Sequence, residues 1–506
     1  METARGDGGT VIHRRDFLLG GLAASGAASG AAQAATGDLN VLFVAVDDLR
    51  PELGCYGNEL IRTPNLDRLA SRSVVFRRAY CQSPVCGPSR ASLLTGLRPD
   101  TTKVWGNRKH FREILPDIVT MPQRFKQEGY HTQAIGKILH GKMSDAASWS
   151  VPAWPPGGRQ AGMQYIDVER LAAMRAKEPD RLVPGPEIPT LEWKKQNSWQ
   201  APEVPDNALQ DGQVADRAVE ALRKLRDENF FLAVGFQKPH LPFTAPKKYF
   251  DLYDPDGLPV PEDAHRPVDS PDKAFTRWQE LRGYTDIPRE GPLPPGKARE
   301  LIHGYYAATS YMDAQAGRVL DELDRLGLSE RTAVVMFGDH GWHLGEQDLW
   351  AKTATFELTA RAPLMMHVPG MSSAGRQCDG LVEFVDMYPT LCEASGIEAP
   401  SSLEGISMMP LLEDPRRSWK QAAFTQIPRP YLASEDWEHM GYSMRTDRYR
   451  YTEWVDRSCT VQARELYDFR IAPTETVNLA GRAEHRALVE SLSRQMQTGW
   501  RWAGPA

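Results

Sequence analysis

Cysteine is scarce in this chain, and its scarcity removes two classes of protein at once. Six cysteines, at 55, 81, 86, 378, 392 and 459, serve 506 residues. No two of them form a CxxC pair, so neither a disulfide-stapled scaffold nor a cysteine-built zinc site fits. Positive charge is not in surplus either. The net charge of −6 leaves no global basic field to attract nucleic acid. Strong internal repeats are missing, which excludes solenoids and propellers. Past the first 35 residues, no apolar stretch is long enough to span a bilayer, so no stable membrane anchor is expected. What is left is the ordinary composition of a soluble globular protein, 41% hydrophobic and 25% charged, in a chain long enough for a large core.

The N-terminus carries the first positive signal. "HRRDFLLGGLAASGAASGAAQAATG" holds Arg14 and Arg15, a short apolar start at Phe17-Leu18-Leu19 and a Gly/Ala/Ser run. "AQA" at 32–34 suits a small-residue cleavage site. The segment resembles a twin-arginine export signal. That resemblance implies residues 1–35 as a signal peptide, the twin-arginine export machinery as a partner, and a periplasmic or secreted mature protein.

After the signal the chain alternates. "LNVLFVAV" (39–46) is a near-continuous apolar run, the pattern of a strand buried on both faces of a parallel sheet. Similar runs recur at "HTQAIGK" (131–137), "FFLAVGF" (230–236) and "TAVVMFGD" (332–339). Helical periodicity marks 63–80, 214–228 and 303–327. The expected fold is α/β, a large mostly parallel central sheet flanked by helices, over 38–432. Pro/Gly-rich segments at 151–206 and 254–296 interrupt the rhythm and are read as pocket walls. The pattern then changes: 441–455 alternates like a hairpin turning near Thr446-Asp447, 465–469 reads as a strand, and 482–501 as a closing helix. A smaller C-terminal α+β subdomain is expected over 433–506.

The strand ends hold the unusual residues, where open α/β sheets gather ligands. Asp47 and Asp48 end the first strand; Asp339 and His340 end a later one. An isolated Asp more often caps a turn. Three carboxylates from two strand ends form an oxygen-rich cup that needs a divalent cation, and Ca²⁺ or Mg²⁺ suits it best. Cationic groups accompany them: Arg90, Lys137 with His140, Lys238 with His240, and Lys352. Together they can surround a tetrahedral anion. "VCGPSRASLLTG" (85–96) reads as a helix N-terminus, with Pro88 in the first turn, Gly96 at the end, and Cys86 just ahead of the first turn at the positive end of the dipole.

Five separated segments, in order, now carry a family resemblance. Cys86-x-Pro88-x-Arg90 with "SLLTG", the early "VDDLRP", the "GK…H" and "KPH" segments, and "GDHGWHLGE…WAK" resemble the type I sulfatases of the alkaline-phosphatase-like superfamily. "LRPDTT", "FFLAVGFQKPHLPF" and "GYSMRTDRYRYTEW" are similar to the iduronate-2-sulfatase branch. The resemblance implies that a maturation enzyme converts Cys86 to Cα-formylglycine, held as its hydrate. A thiolate attacking a sulfate ester would leave a sulfonated cysteine with no internal way out, whereas a hydrate has a second hydroxyl that can expel sulfate. It further implies that Asp47, Asp48, Asp339 and His340 hold one divalent ion with modified Cys86, Ca²⁺ being favoured over Mg²⁺. Arg90 orients the hydrate, Lys137 and Lys352 bind sulfate oxygens, His140 is the base that expels sulfate, and His240 is the acid that protonates the departing alcohol. The substrate implied is a sulfated saccharide. Two other activities fit the same residues: phosphonate monoester or phosphodiester hydrolysis, and silent glycan binding on the same scaffold. The chain departs from the family pattern at Gly87, where Thr, Ala or Ser is usual, at Thr353, where an aromatic polar residue is expected, and at His343, which has no counterpart.

Overall fold

The computed structural model describes residues 39–141, 143–155, 197–262, 264–431 and 436–505. The segment expected to direct export, the boundary expected at 433 and residues 156–196 of the first expected wall lie outside the described residues. A seven-stranded sheet forms the centre. Its strands are β1 (Asn40–Val46), β2 (Val74–Tyr80), β3 (His131–Gly136), β5 (Phe230–Phe236), β7 (Thr332–Gly338), β8 (Leu364–His367) and β9 (Gln377–Glu383), while β4 (Trp199–Gln200) pairs apart with β6 (Phe243–Thr244). The spatial order is β3-β5-β1-β7-β8-β2-β9. β1 lies parallel between β5 and β7. β8 alone runs antiparallel to its neighbours β7 and β2. The sheet is therefore mixed and mostly parallel, as expected.

The apolar run of β1 is explained by its two faces. Val41, Phe43 and Ala45 enter one core with Phe231, Phe337, Leu93, Leu94 and Phe125. Leu42, Val44 and Val46 enter the other with Val214, Ala218, Leu222, Met312 and Val319. Helices on opposite sides supply the cover: α2 (Cys86–Thr95) brings Leu93 and Leu94 to the first core, and α3 (Gln210–Leu225) and α4 (Pro295–Arg325) bring the residues named for the second. Each large apolar side chain so buried contributes about 1.5–3 kcal/mol. A strand with both faces covered can alternate nothing, so the sequence run is continuous.

One helix is shorter than its sequence suggests. The 63–80 stretch splits into α1 (Pro64–Ala70) and strand β2. Leu66, Leu69 and Ala70 keep the helical spacing and are buried. The chain then turns at Ser71–Ser73, and Val74-Val75-Phe76, rich in β-branched residues, pairs with β8.

The C-terminal region forms a second sheet, antiparallel, in the order β10 (Ala422–Arg429), β11 (His439–Thr446), β12 (Tyr449–Asp456) and β13 (Val461–Asp468). The hairpin turns after Thr446 as expected. Its first strand precedes residue 433. α5 (Arg486–Gln497) closes it, with Val489 and Leu492 against Met444, Tyr451 and Leu466. Buried Glu357 ties this sheet to the first: it accepts from Tyr80 at 2.8 Å, from Arg445 at 3.1 Å and from Arg450. All six cysteines are free. No helix among the described residues is long and apolar enough to cross a membrane.

Candidate active site

The site is built at the carboxyl ends of β1 and β7, which lie side by side. The Asp339 amide donates to the Val46 carbonyl at 3.0 Å, so the two strand ends are locked in register just where their carboxylates begin. Asp48 follows with φ 58°, an uncommon conformation for a non-glycine residue, and its amide donates to Asp339 Oδ1 at 3.1 Å. The turn thus brings Asp47, Asp48 and Asp339 to one point, all essentially inaccessible.

α2 delivers Cys86 to the same point. Cys86 is the first residue of the helix rather than the residue ahead of it, so the helix starts earlier than expected, and Gly96 ends it at φ 69°. Its Sγ lies 3.3 Å from His340 Nε2, 3.4 Å from Lys352 Nζ and 3.9 Å from Lys137 Nζ. One turn on, Arg90 donates through Nε to Asp339 Oδ2 at 2.7 Å and through Nη1 to the Lys137 and Ile138 carbonyls. Ser89 Oγ donates to the Asp339 carbonyl. The spacing Cys-x-Pro-x-Arg therefore puts a nucleophile position and its guanidinium on one helical turn, above the carboxylates.

The cations arrive from separate loops. Lys137, after β3, donates to Asp47. Lys352 donates to Asp48 Oδ1 at 2.8 Å and Oδ2 at 3.1 Å. His240 Nδ1 lies 2.6 Å from the Leu241 carbonyl, which fixes the hydrogen on that nitrogen and turns Nε2 toward Asp47 and Asp48, 4.0 Å from each. Lys238, read from sequence as another site cation, instead spans the same turn. Its ammonium donates to the His240 carbonyl at 2.8 Å and the Pro242 carbonyl at 2.6 Å. His140 has a buried Nδ1 without a hydrogen-bond partner. His343 is not part of the cluster: its amide donates to the Ala351 carbonyl and its ring packs edge-on against Phe356. Thr353 is buried, its amide donating to the Pro84 carbonyl and its carbonyl accepting from Arg429 at 2.9 Å.

Burial alone would raise Asp47, but Lys137, His240, Arg90 and Lys352 outweigh it and hold the carboxyl well below its usual range. Asp48 goes the other way, pushed up to about 6 by burial and by Asp47 against Lys352 and His240. His340 is raised to about 9, because Asp339 and Asp48 overcome its burial. His140 falls to about 4 through burial and the neighbouring Lys137, so it is neutral at pH 7 and able to accept a proton.

The donor set fits a divalent cation. Ligand atoms of Asp47, Cys86, Asp339 and His340 all lie within 4.8 Å of one another and are buried, and a second set joins Asp47, Asp48, Cys86 and His240. Asp47 Oδ1 is buried with no hydrogen-bond partner. Carboxylate oxygens in this number suit a hard ion.

Three residues escaped the sequence reading. Glu280, from the Pro/Gly-rich segment 254–296, places Oε1 3.1 Å from His240 Nε2 and Oε2 3.3 Å from Lys352 Nζ. Asn107 accepts from the Gly87 amide at 2.8 Å and donates to Tyr431 at 3.2 Å. Glu280 sits in a four-residue helix and Asn107 in a turn, both too short to show a period; the composition of 254–296 marked a wall but no particular residue.

A buried carboxylate cup, ringed by cations beneath a helix N-terminus, defines a hydrolase of anionic esters on an α/β sheet. The sulfatase family model matches residues 39–397, and the model for the C-terminal part of N-sulphoglucosamine sulphohydrolase matches 345–500. The chain belongs to the sulfatase family and is a sulfatase hydrolase. It is 33% identical to the iduronate 2-sulfatase of Mus musculus, over 94% of this chain and 97% of that one. In structure it resembles the phosphonate monoester hydrolase of Silicibacter pomeroyi, with a TM-score of 0.72 and 22% identity over 92% of this chain and 96% of that one. It also resembles BT4656 in complex with its substrate D-glucosamine-2-N,6-O-disulfate, with a TM-score of 0.71 and 22% identity over 92% of this chain and 99% of that one. At that identity these two likenesses speak for the fold.

Proposed function

We propose that the protein removes sulfate from a sulfated carbohydrate, using Cys86 matured to Cα-formylglycine by a generating enzyme and one divalent ion, Ca²⁺ in preference to Mg²⁺. The observation that carries this reading is the convergence of Cys86 with Asp47, Asp339 and His340 within 4.8 Å, in a chain similar over nearly its whole length to an iduronate 2-sulfatase. Asp47, Asp48, Asp339 and His340 would hold the ion, and such an ion would supply Lewis-acid polarisation of ester oxygens and a lowered hydroxyl pKa. The hydrated aldehyde supplies that hydroxyl and a second one from which sulfate can be expelled. Arg90 orients the nucleophile. Lys137 and Lys352 neutralise sulfate oxygens, His240 gives a proton to the leaving alcohol, and His140, neutral at pH 7, takes the proton whose loss expels sulfate. The protein reaches the periplasm or the medium through the signal in residues 1–35, ahead of a catalytic domain (38–432) and a C-terminal subdomain (433–506) whose sheet includes Ala422–Arg429. Changing Arg14 and Arg15 to Lys is expected to strand it in the cytoplasm.

Desulfation of a panel of defined sulfated saccharides tests the reading, with nitrophenyl phosphodiester and phosphonate esters as the competing substrates. Peptide mass spectrometry of the protein from a host with the maturation enzyme is expected to show the aldehyde or its hydrate at Cys86. A fully active, unmodified thiol would refute the mechanism. Faster turnover of the phosphodiester than of every sulfate would overturn the substrate class.

A further inference from the structure

Glu280 is the carboxylate within hydrogen-bond distance of His240 Nε2, at 3.1 Å; Asp47 and Asp48 stand back at 4.0 Å. Its other oxygen lies 3.3 Å from Lys352 Nζ. One side chain thus bridges the group that faces the leaving alcohol and a cation that faces the sulfate. His240 is gripped at both edges of its ring, by the Leu241 carbonyl on Nδ1 and by Glu280 on Nε2. An imidazole held at one edge can still rotate; held at both it has one orientation.

The backbone that carries Glu280 is itself fixed. The short helix Gln279–Arg282 starts after Trp278, whose φ of 53° is a strained conformation for an aromatic residue. The strain is sustained by anchors. Trp278 is buried and donates from Nε1 to the Asp348 carbonyl at 2.8 Å, and the Arg282 guanidinium covers its ring at 4.1 Å. Leu281 and Tyr284 are buried in the same core. Asp348 lies four residues before Lys352, so the loop carrying the cation and the turn carrying Glu280 are pinned to each other. Glu280 keeps 26% of its side chain exposed, at the open side of the cluster, while the carboxylates beneath it have none.

We propose that Glu280 is a positioning residue for leaving-group protonation, acting through His240, and that its bond to Lys352 sets where that acid stands relative to the sulfate. The inference rests on the sulfatase reading of the site. As a sugar oxygen departs, it needs a proton; the Nε2 hydrogen that Glu280 accepts in the resting site passes to that oxygen, leaving His240 neutral with its hydrogen on Nδ1, and until then Glu280 keeps Nε2 aimed at the open side of the cluster. A nitrophenolate leaves as its own anion and does not depend on that alignment.

The test compares kcat on a saccharide sulfate with kcat on 4-nitrophenyl sulfate, using metal-loaded, matured full-length protein. Glu280→Ala is expected to lower kcat about 10- to 100-fold on the saccharide, a part of what a general acid contributes, and less than about 3-fold on the nitrophenyl ester. Glu280→Gln, which keeps the shape, provides the same comparison if the alanine variant melts early. Glu280→Asp is expected to recover part of the loss. In a His240→Ala background, Glu280→Ala should add almost nothing, because both changes remove one function. Equal losses on the two substrates in a folded variant, or fully additive losses in the double variant, overturn the assignment of Glu280 and leave the sulfatase reading standing. A wild-type protein inert on both esters overturns the sulfatase reading and the assignment with it.

Discussion

Gly87→Ala separates a structural account of the Cys-Gly-Pro-Ser-Arg segment from an accidental one. Related enzymes usually carry a side chain at this position. Here a Cβ would stand 2.8 Å from Asn107 Oδ1, 3.0 Å from the Gly106 carbonyl oxygen and 3.1 Å from Asn107 Cα. The amide of Asn107 cannot simply swing away, since Oδ1 accepts from the Gly87 amide at 2.8 Å and Nδ2 donates to Tyr431 at 3.2 Å. Two of the three contacts are backbone, so the loop itself must move. Alanine in a helix gains about 0.5–1 kcal/mol over glycine. Against that stand about 0.5–1.5 kcal/mol for the lost hydrogen bond and about 1–3 kcal/mol for overpacking. The balance is a loss of about 0.5–4 kcal/mol. With an unfolding entropy of about 1 kcal/mol/K for a chain of this size, thermal denaturation of the purified variant should show a midpoint about 0.5–4 °C below wild type. Asn107→Ala removes the contact at 2.8 Å, so the double variant should lose less than the two single changes added together. A Gly87→Ala protein as stable as wild type, or a fully additive double variant, would refute the reasoning.

The other expectations are read in the same protein. Dialysis against a chelator should abolish sulfatase activity and Ca²⁺ should restore it, while Asp339→Asn should resist restoration; full activity after metal removal would exclude the cluster as a metal site. His140→Ala should slow saccharide and nitrophenyl sulfates alike, because the expulsion of sulfate follows either leaving group; a loss confined to the saccharide would reassign it. Burial pushes Glu475 up to about 7 from 4.5, with Glu357 adding to the shift against Arg450. The fold favours its protonated form, so its contribution to stability is complete below about pH 4.5 and is lost as pH rises through about 7. Glu475→Gln should therefore flatten the fall in melting temperature across that window, and an unchanged slope would contradict the shift.

The legible parts of the chain were those with both faces buried. β1, β5 and β7 appear as continuous apolar runs because helices cover both sides of the sheet, and β1 and β7 end at residues that the structure gathers into the buried cluster. Asp47, Asp339 and His340 were found by that rule, and Cys86 and Arg90 by their spacing on a helical turn. β2 was misread as helix because Arg77 and Arg78 interrupt its apolar pattern near the sheet edge, where Arg77 is largely exposed. Lys238 was misread because a basic residue beside a site histidine looks the same in sequence whether it faces the ligand or the backbone. Glu280 and Asn107 were invisible for another reason. Glu280 lies in a four-residue helix and Asn107 in a turn, both too short for a period to announce which side chain points inward, and both depend on distant partners, the Asp348 carbonyl that anchors neighbouring Trp278 for the first and Tyr431 for the second.

Charge links these positions to the choice of substrate. Arg90, Lys137 and Lys352 bring three positive charges to the site; Asp47, Asp48, Asp339 and Glu280 bring four negative ones. His140 is neutral at pH 7, and His340 is neutral once it ligates a metal. His240, with hydrogens on both ring nitrogens when it serves as the acid, adds a fourth positive charge. A divalent cation in the cup would then leave a surplus of two positive charges in a buried, low-dielectric place, where unbalanced charge is costly and an anionic ester is welcome. A phosphate monoester, whose second pKa is about 6, carries nearly two negative charges at neutral pH; a sulfate monoester carries one. Phosphodiesters and phosphonate monoesters also carry one, so charge alone does not separate them from sulfates, and the same fold accommodates a phosphonate monoester hydrolase. The discrimination among monoanions then falls to the leaving group. An enzyme for unactivated sugar esters needs an aligned acid, and Glu280, the carboxylate beside that acid, also reaches the Lys352 ammonium at 3.3 Å.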